Sequence, residues 1–273
     1  MAPLVGAARS DIGLVRENNE DAFFFDGSLG LYLVADGMGG HAAGEVASSM
    51  AMQTVADYIR HFKDKPSEDP ERYQISNHDY SSLTNTVLQA IHLANQVVYN
   101  AAQNNIEQHD MGSTLALLMA EGNDLIIAHV GDSRVLRHRA GKLTRLTVDH
   151  RLSEDPQFMG VINYDSTMVS NLGHTLTRGI GVKADLMPEI VQTVFQDGDI
   201  YLLCSDGLTD MVSEDMIGQV LSMEEDLDKK AQHLVELALA AGGVDNVTVV
   251  LAAAVEPKSK TFKKFLSKIV KST

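Results

Sequence analysis

Residues 31–45 read Leu-Tyr-Leu-Val-Ala-Asp-Gly-Met-Gly-Gly-His-Ala-Ala-Gly-Glu. An apolar run of strand length comes first, and it ends in an acid, Asp36. Several glycines follow, and an apolar-periodic segment typical of a helix begins at about Ala42. This pattern predicts a strand, a tight turn and a helix, with a carboxylate where the strand leaves the core. The glycines let the backbone bend sharply and come close to whatever Asp36 binds.

The remaining elements do not alternate regularly between strand and helix. Strands are predicted at residues 4–10, 21–35 (with a turn at Asp26-Gly27), 113–119, 125–130, 134–138, 189–195, 199–204 and 246–254. Helices are predicted at about residues 42–62, 83–104, 213–222 and 225–241, whereas 64–82 resembles a loop and 149–173 a surface flap. Short turns between strands indicate antiparallel pairing. We therefore predict an α+β sandwich in which helices cover the sheets, not a doubly wound parallel sheet.

Composition and charge restrict the possible functions. The chain has 273 residues, 44% of them hydrophobic, which fits one large domain or two small ones. Its net charge of −15 would repel nucleic acid, so nucleic-acid binding is not expected. No apolar run reaches the roughly 18 residues that a membrane span needs. The absence of a secretory signal and a single cysteine, Cys204, predict a cytoplasmic protein.

Acids recur at the ends of predicted strands. Asp36 and Asp206 each follow an apolar strand and precede glycine, Asp245 comes just before a strand, and Glu20 and Asp21 begin another. If these strand ends share one rim, their carboxylates would repel each other unless cations lay between them. Oxygen ligands without clustered Cys or His suit Mg²⁺ or Mn²⁺. The alternative for each acid alone is an ordinary turn residue, since Asp-Gly is a frequent turn dipeptide.

Eight motifs occur in the order in which they occur in one enzyme family. They are Arg16-x-x-Asn19-Glu20-Asp21, Val34-Ala-Asp36-Gly37-Met38-Gly39-Gly40-His41-x-x-Gly44-Glu45, Met111-Gly112-Ser113-Thr114, Val130-Gly131-Asp132-Ser133-Arg134, Leu146-Thr-Val-Asp149-His150, Leu176-Thr177-Arg178-Gly179-Ile180-Gly181, Leu203-Cys-Ser-Asp206-Gly207-Leu208 and Asp245-Asn246-Val247-Thr248. With them the chain resembles the bacterial form of the PPM (type 2C) metal-dependent Ser/Thr protein phosphatases. The resemblance covers about residues 9–254 and implies a four-layer α/β/β/α sandwich of two antiparallel sheets flanked by helices.

The resemblance also implies roles for individual residues. Asp36, Asp206 and Asp245 would bind one Mn²⁺ or Mg²⁺ ion. A second ion would be held by Asp36 and the Gly37 carbonyl, together with Glu20 and Asp21, partly through water. Two such ions lower the pKa of a shared water, which would attack phosphorus while Arg16 grips the phosphate. The substrates would be Ser/Thr-phosphorylated proteins, the products of a partner Ser/Thr kinase.

Some positions depart from the family pattern or have two interpretations. Where members often carry an acid that helps to bind a third metal, this chain has His109, and Asp110 lies one residue later, so any third ion would be weak. His41 could bind substrate as a general acid or serve only at the helix start. Asp132 and Asp149 are interpreted as turn and structural residues, and Cys204 as a core residue.

The C-terminal segment differs in charge from the rest. Residues 258–273 contain six lysines and no acid, and five apolar residues share one helical stripe: Phe262, Phe265, Leu266, Ile269 and Val270. We predict a phosphatase domain over 1–256 and a basic amphipathic tail over 257–273. The tail could bind an anionic membrane surface or an acidic partner, which would place the protein at the membrane periphery. Alternatively it docks on its own acidic domain or frays.

Two other functions compete with the phosphatase. Gly37-x-Gly39-x-x-Ala42 after a strand satisfies the loose dinucleotide-binding pattern, but Asp36 would repel a pyrophosphate and Asp57 lies inside a predicted helix. A non-catalytic phosphoprotein-binding module on the same fold is the other alternative. It is disfavoured because all the metal-binding acids and Arg16 are present.

Overall fold

The computed structural model describes residues 4–39, 43–64, 75–154 and 175–254. These residues form two antiparallel sheets with helices on their outer faces. Within this part of the chain, the helices are too short or too polar to cross a bilayer. The predicted tail over 257–273 and most of the predicted flap, including residues 155–173, lie outside the described residues.

The first sheet joins the two ends of the described chain. Its strands, in spatial order, are β1 (Leu4–Asp11), β11 (Val247–Ala254), β10 (Ile200–Cys204), β7 (Arg134–Arg139) and β8 (Lys142–Arg145). Every neighbouring pair is antiparallel. Because β11 lies between β1 and β10, the ends of these strands bring together residues that are far apart in sequence.

The second sheet contains the strand that precedes Asp36. Its order is β2 (Asp21–Asp26), β3 (Leu31–Met38), β5 (Leu115–Glu121), β6 (Asp124–Val130) and β9 (Glu189–Val194), and β4 (Gly112–Ser113) pairs with the end of β3. All of these pairs are also antiparallel. This arrangement excludes the dinucleotide-binding alternative, which requires a parallel strand–helix–strand unit after the glycine turn.

Within the described ranges, five helices complete the four layers. They are α1 (Ala43–Asp64), α2 (Ser82–Asn104), α3 (Asp206–Thr209), α4 (Glu214–Ser222) and α5 (Leu227–Ala240), with a short 3₁₀ turn at Ile106–Gln108. On α2, the predicted stripe with Val87, Ile91 and Val98 is buried against the second sheet. The hydroxyl of Ser81 caps this helix by accepting a hydrogen bond from the Thr84 N–H.

Alternation along β3 explains why two sheets and two helical layers stack. Leu31, Leu33 and Ala35 belong to the core between the second sheet and helices α1 and α2. Tyr32 and Val34, which point to the opposite face of the strand, belong to the core between the two sheets. A strand buried on both faces must be apolar throughout, as this one is until Asp36.

The first sheet is covered on its outer face by α3, α4 and α5. Leu202, Cys204 and Leu251 pack there against helical residues such as Leu208, Ile217, Leu221 and Leu234. The predicted α/β/β/α sandwich is therefore confirmed. Most predicted elements are found within a few residues of their predicted ends. The short strands β4 and β8 and the single-turn helix α3 were not predicted, because they are too short to show a period.

The helix-facing side of the second sheet should be sensitive to cavities. Leu117 is fully buried there, so Leu117→Ala is expected to lower the free energy of unfolding by about 2–5 kcal/mol. Val191→Ala, on the partly exposed edge strand β9, is the control and should change it by less than about 1 kcal/mol. Urea unfolding of both variants tests the expectation, and equal effects would contradict the assigned layers.

Candidate metal centre

A cleft of about 530 Å³ opens at one end of the sandwich, where strands of both sheets end. The described residues that line it include the predicted residues Arg16, Glu20, Asp36, Gly37, Asp206 and Asp245. Asp132, Thr114, Asn246 and residues 175–179 add to its wall. Acids separated by more than 200 residues in sequence therefore meet at one rim, as the family resemblance implied.

The β2–β3 pairing brings the first three acids together. Asp21 lies opposite Asp36 in the register of the two strands. One residue further, the Gly37 N–H donates to the Glu20 carbonyl over 3.0 Å. A Cβ on residue 37 would lie only 2.0 Å from the Gly44 carbonyl oxygen. Glycine is thus required at this position because the turn packs directly on the start of α1.

The other two acids come from the first sheet and are tied to this turn through Asn246. Asp206 begins α3 directly after β10, and Asp245 precedes β11 by two residues. The Asn246 Oδ1 accepts the Glu20 N–H over 2.8 Å, and its Nδ2 donates to the carbonyls of Ile12 and Asn18. Asp245 is thereby fixed beside Glu20.

Hydroxyl groups connect the two sheets beneath the acids. The Ser205 Oγ donates to Asp21 Oδ2 over 2.7 Å and accepts the Thr248 N–H. On the second sheet, the Asp36 N–H donates to Thr114 Oγ1, and the Thr114 N–H donates to the Asp36 carbonyl. These bonds fix the backbone and orient Asp21 without neutralising any carboxylate charge.

Burial and mutual repulsion raise the pKa values of the acids. Burial is the main cause for Asp36, whose pKa lies well above its usual range, and the charges of Asp21 and Asp206 raise it further. Burial likewise raises the pKa of Asp21 to about 6 and that of Asp206 to about 7. Carboxylates held together with unfavourable charge are a common property of metal and catalytic sites.

The donor set fits divalent cations. Among the described residues, Asp21 Oδ1 is buried without a hydrogen-bond partner, and a buried acceptor of this kind usually has one. The converging side-chain donors Glu20, Asp21, Asp36, Asp206 and Asp245 are all carboxylates. Such oxygen-only donors suit Mg²⁺ or Mn²⁺ better than a thiolate or imidazole metal.

Two arginines also contact the acids. Arg16 Nη2 donates to Asp245 Oδ2 over 2.7 Å, and about half of the Arg16 side chain is exposed. Arg151 is buried, with its Nε 2.6 Å from Asp132 Oδ2 and its Nη2 2.8 Å from Asp206 Oδ2. Arg151 Nη2 also lies 3.3 Å from Asp210 Oδ2. Arg16 was predicted at the site, whereas Arg151 and Asp210 were missed.

Asp132 requires a correction. The sequence pattern favours a turn role for Asp132, but this residue lines the cleft and pairs with Arg151. The interpretation of Asp149 as structural agrees with its environment, since it is fully buried and paired with Arg134 and Arg145. The turn sequence around Asp132 gave no signal that separates the two roles. For Asp210 the sequence does carry a signal: it follows Asp206 by one helical turn, a spacing that places two side chains on the same helical face.

The other singled-out residues lie elsewhere. Asp110 is exposed, its carboxylate faces His109 Nδ1, and it does not line the cleft, so the structure does not support a third ion on Asp110. His41 lies outside the described residues. Cys204 is fully buried in β10, and burial raises the pKa of its thiol to about 12. A nucleophilic thiolate is therefore disfavoured.

A second group of possible ligands consists of His129 on β6, Glu189 at the start of β9, and His150. Several of its polar atoms already have protein partners: His129 Nε2 bonds to the Val148 carbonyl, and His150 Nδ1 accepts the Gly131 N–H. The Arg178 guanidinium contacts both His150 Nε2 and Glu189. A cation in contact with two of the three residues makes this group a poor metal site.

Comparison with known proteins gives matches over most of the chain. The family model described as protein phosphatase 2C matches residues 14–242. The serine/threonine protein phosphatase PstP of Mycobacterium tuberculosis is 36% identical over 250 residues, which are 92% of this chain and 45% of that protein. A putative protein phosphatase 2C-type of Streptococcus pyogenes is 34% identical over 89% of this chain and 94% of its own length.

Solved structures agree with these matches. The crystal structure of the M. tuberculosis PstP/Ppp phosphatase has a TM-score of 0.78 and 34% identity, and covers 93% of this chain and 100% of that one. The PstP catalytic domain in complex with two manganese ions has a TM-score of 0.76 and 35% identity, over 94% and 100%. The chain thus spans about half the length of the M. tuberculosis relative and all of its solved catalytic domain.

The raised pKa values predict how pH changes the stability of the chelator-treated protein. Between about pH 4 and 7, folded Asp206 keeps a proton that the unfolded chain has lost, so its contribution to stability falls as pH rises. His129 and His150, whose pKa values are lowered by burial, contribute in the opposite direction. The informative quantity is therefore the difference between Asp206→Asn and the wild type.

We expect the melting temperature of Asp206→Asn in EDTA to rise relative to wild type as pH increases from about 5 to 8. The amide carries no charge at any pH, while the wild-type carboxylate becomes ionised over this range. Thermal denaturation at several pH values measures the difference. A difference that stays constant would mean that Asp206 is not under the repulsion described here.

Proposed function

The chain belongs to the protein phosphatase 2C family, and we propose that it hydrolyses phosphoserine and phosphothreonine in proteins with the help of two Mn²⁺ or Mg²⁺ ions. The observation that carries the proposal is the convergence of five acids and one exposed arginine at a single cleft. The family predicted from the sequence, the type 2C protein phosphatases, is confirmed by the family model and by the relatives.

The acids divide between two ions as the family pattern implies. Asp36, Asp206 and Asp245 would hold one ion, and Asp36 with the Gly37 carbonyl would hold the other, assisted by Glu20 and Asp21. When bound, such ions supply an activated water and positive charge for the phosphoryl oxygens. The protein fixes these donors through Asn246, Ser205 and Thr114, so they are preorganised for the ions.

Arg16 would bind the substrate phosphate. Its guanidinium lies at the cleft, is half exposed, and contacts Asp245 through one nitrogen. The planar guanidinium has further N–H donors, which can pair with phosphate oxygens in two places. Arg16 can therefore orient a phosphate beside the acids and neutralise charge that develops on it.

The cleft wall also suits a polypeptide substrate. Met38, Leu176 and Val182 line it beside the polar residues, and half of the Val182 surface is exposed. Apolar side chains of a phosphoprotein could pack there while the phosphate enters. The substrates would be Ser/Thr-phosphorylated proteins supplied by a partner kinase, and the acidic chain makes nucleic acid an unsuitable ligand.

The remaining expectations concern residues outside the described part of the chain. His41, two residues before Ala43 in the sequence, would contribute to substrate binding. The basic tail over 257–273 would allow contact with an anionic membrane surface or an acidic partner, and so a peripheral position for a cytoplasmic enzyme. A non-catalytic binding module is the weaker alternative, because it needs neither the metal-binding acids nor Arg16.

Asp36→Asn tests the metal centre directly. The amide has nearly the shape of the carboxylate but lacks the charge that ions need. We expect phosphate release from a phosphothreonine peptide in Mn²⁺ to fall by about 100-fold or more, since a metal ion contributes several kcal/mol to catalysis. In EDTA the variant should be at least as heat-stable as wild type, because one buried like charge is removed.

Cys204→Ser and Asp110→Asn are the matched controls, and both should leave the Mn²⁺-dependent rate largely unchanged. The wild-type activity should disappear in chelator and return with Mn²⁺. Near-normal activity of Asp36→Asn would contradict the assigned site. A complete lack of turnover by the wild type with Mn²⁺ would favour the binding-module alternative.

Arg16→Lys tests the phosphate contact. Lysine keeps the charge but cannot bind phosphate with a planar pair of N–H groups. We expect kcat/KM for the phosphopeptide to fall by about 10–100-fold, the size of one charge-assisted hydrogen bond. Isothermal titration with Mn²⁺ should show that ion binding is retained. An unchanged kcat/KM would assign the phosphate contact to another residue.

A further inference from the structure

Arg151 lies among three carboxylates at the inner edge of the cleft. Its Nε donates to Asp132 Oδ2, its Nη2 donates to Asp206 Oδ2, and both Nη atoms lie within 3.5 Å of Asp210. The side chains of Arg151 and Asp132 are each only 7% exposed. One guanidinium therefore contacts three acids at once, and one of them is an assigned metal ligand.

The backbone around Arg151 is held firmly. Arg151 forms an isolated antiparallel bridge with Leu176. The neighbouring His150 N–H donates to the Gly131 carbonyl, and the His150 carbonyl accepts the Thr177 N–H. These bonds connect the residue to the turn that carries Asp132 and to the cleft wall at residues 175–179. These backbone bonds fix the main chain at residue 151, from which the guanidinium extends to the three acids.

Charge explains why a cation is needed here. Asp132, Asp206 and Asp210 carry three negative charges when ionised, and only Asp206 among them is assigned to a metal ion. A buried carboxylate without a cation or hydrogen-bond donors is strongly unfavourable. Three acids around one small space would otherwise attract a divalent ion, because carboxylate oxygens are the ligands that Mg²⁺ and Mn²⁺ prefer.

We propose that the Arg151 guanidinium is a permanent cation of this metal centre, occupying the position among Asp132, Asp206 and Asp210 that a further divalent ion would otherwise take. Arginine suits this role because it stays charged at any physiological pH and has five N–H donors in a planar array. Arg151 has this role only if Asp206 is a metal ligand, as the proposed function requires. The chain would then bind two divalent ions and not three.

The test counts ions, not turnover. The full chain is dialysed to equilibrium against saturating Mn²⁺, and bound manganese per chain is measured by elemental analysis. We expect two ions for the wild type and three for Arg151→Gln, because the vacated carboxylates take up an ion. The double variant Asp132→Asn/Arg151→Gln should return to two, since one of the three acids has lost its charge.

Arg139→Gln is the matched control. Arg139 forms an ion pair with the fully buried Asp199 and does not line the cleft. The same substitution there should leave the count at two, so a general effect of removing a buried ion pair is separated from an effect at the cleft.

The outcomes distinguish this role from the proposed function. If the wild type binds no Mn²⁺, both the two-ion function and the role of Arg151 are contradicted. A wild type with two ions and an Arg151→Gln variant with two ions overturns the role of Arg151 alone.

Stability gives a second measurement if Arg151→Gln folds poorly. Mn²⁺ should raise the melting temperature of this variant by more than it raises that of the wild type, because one more ion binds the folded state. An equal or smaller rise overturns the proposal. So does a variant that stays unfolded in saturating Mn²⁺, because an ion at the same carboxylates should replace the lost charge.

Discussion

Repulsion between partly buried carboxylates is the constraint on which this structure depends. Asp21, Asp36 and Asp206 are removed from solvent enough, and lie close enough to other acids, that their pKa values all rise. Left alone, such charges would drive the strand ends apart. Three apolar layers, one between the sheets and one beneath each helical face, hold the strands in place against that force. The sandwich thus holds a cluster of carboxylates at one end, and this cluster attracts cations.

Two kinds of polar contact keep the acids in position. Neutral groups such as Asn246, Ser205 and Thr114 fix the backbone and orient individual oxygens, but they leave the negative charge in place for incoming ions. The arginines neutralise charge, and they differ in exposure. Arg16 is half exposed, as its proposed contact with a substrate phosphate requires, whereas Arg151 is buried among its acids. Exposure therefore distinguishes the proposed substrate contact from the proposed permanent counter-charge.

The fold could be predicted because its signals are local, and most of the site because eight short motifs resemble those of one family in the same order. The apolar run before Asp36 and the Asp-Gly pairs at strand ends can be recognised within a few residues. What was missed depends on tertiary structure. Asp132 lies in a turn sequence that fits a purely structural role equally well. Arg151 has no periodic pattern around it, and only the folded chain shows which acids it contacts. Likewise, the strand β8 has four mostly polar residues and is defined by its pairing with β7.

The pairing of β1 with β11 has a consequence for how the protein folds during synthesis. Asn246 clamps the loop that carries Arg16 and Glu20, and Asp245 completes the set of acids. During translation the ribosome must therefore produce more than 240 residues before any ion can be caged. Contacts of such long range are slow to form. A nascent chain lacking β11 would expose an unpaired edge on both β1 and β10, and such edges favour aggregation until β11 has been synthesised.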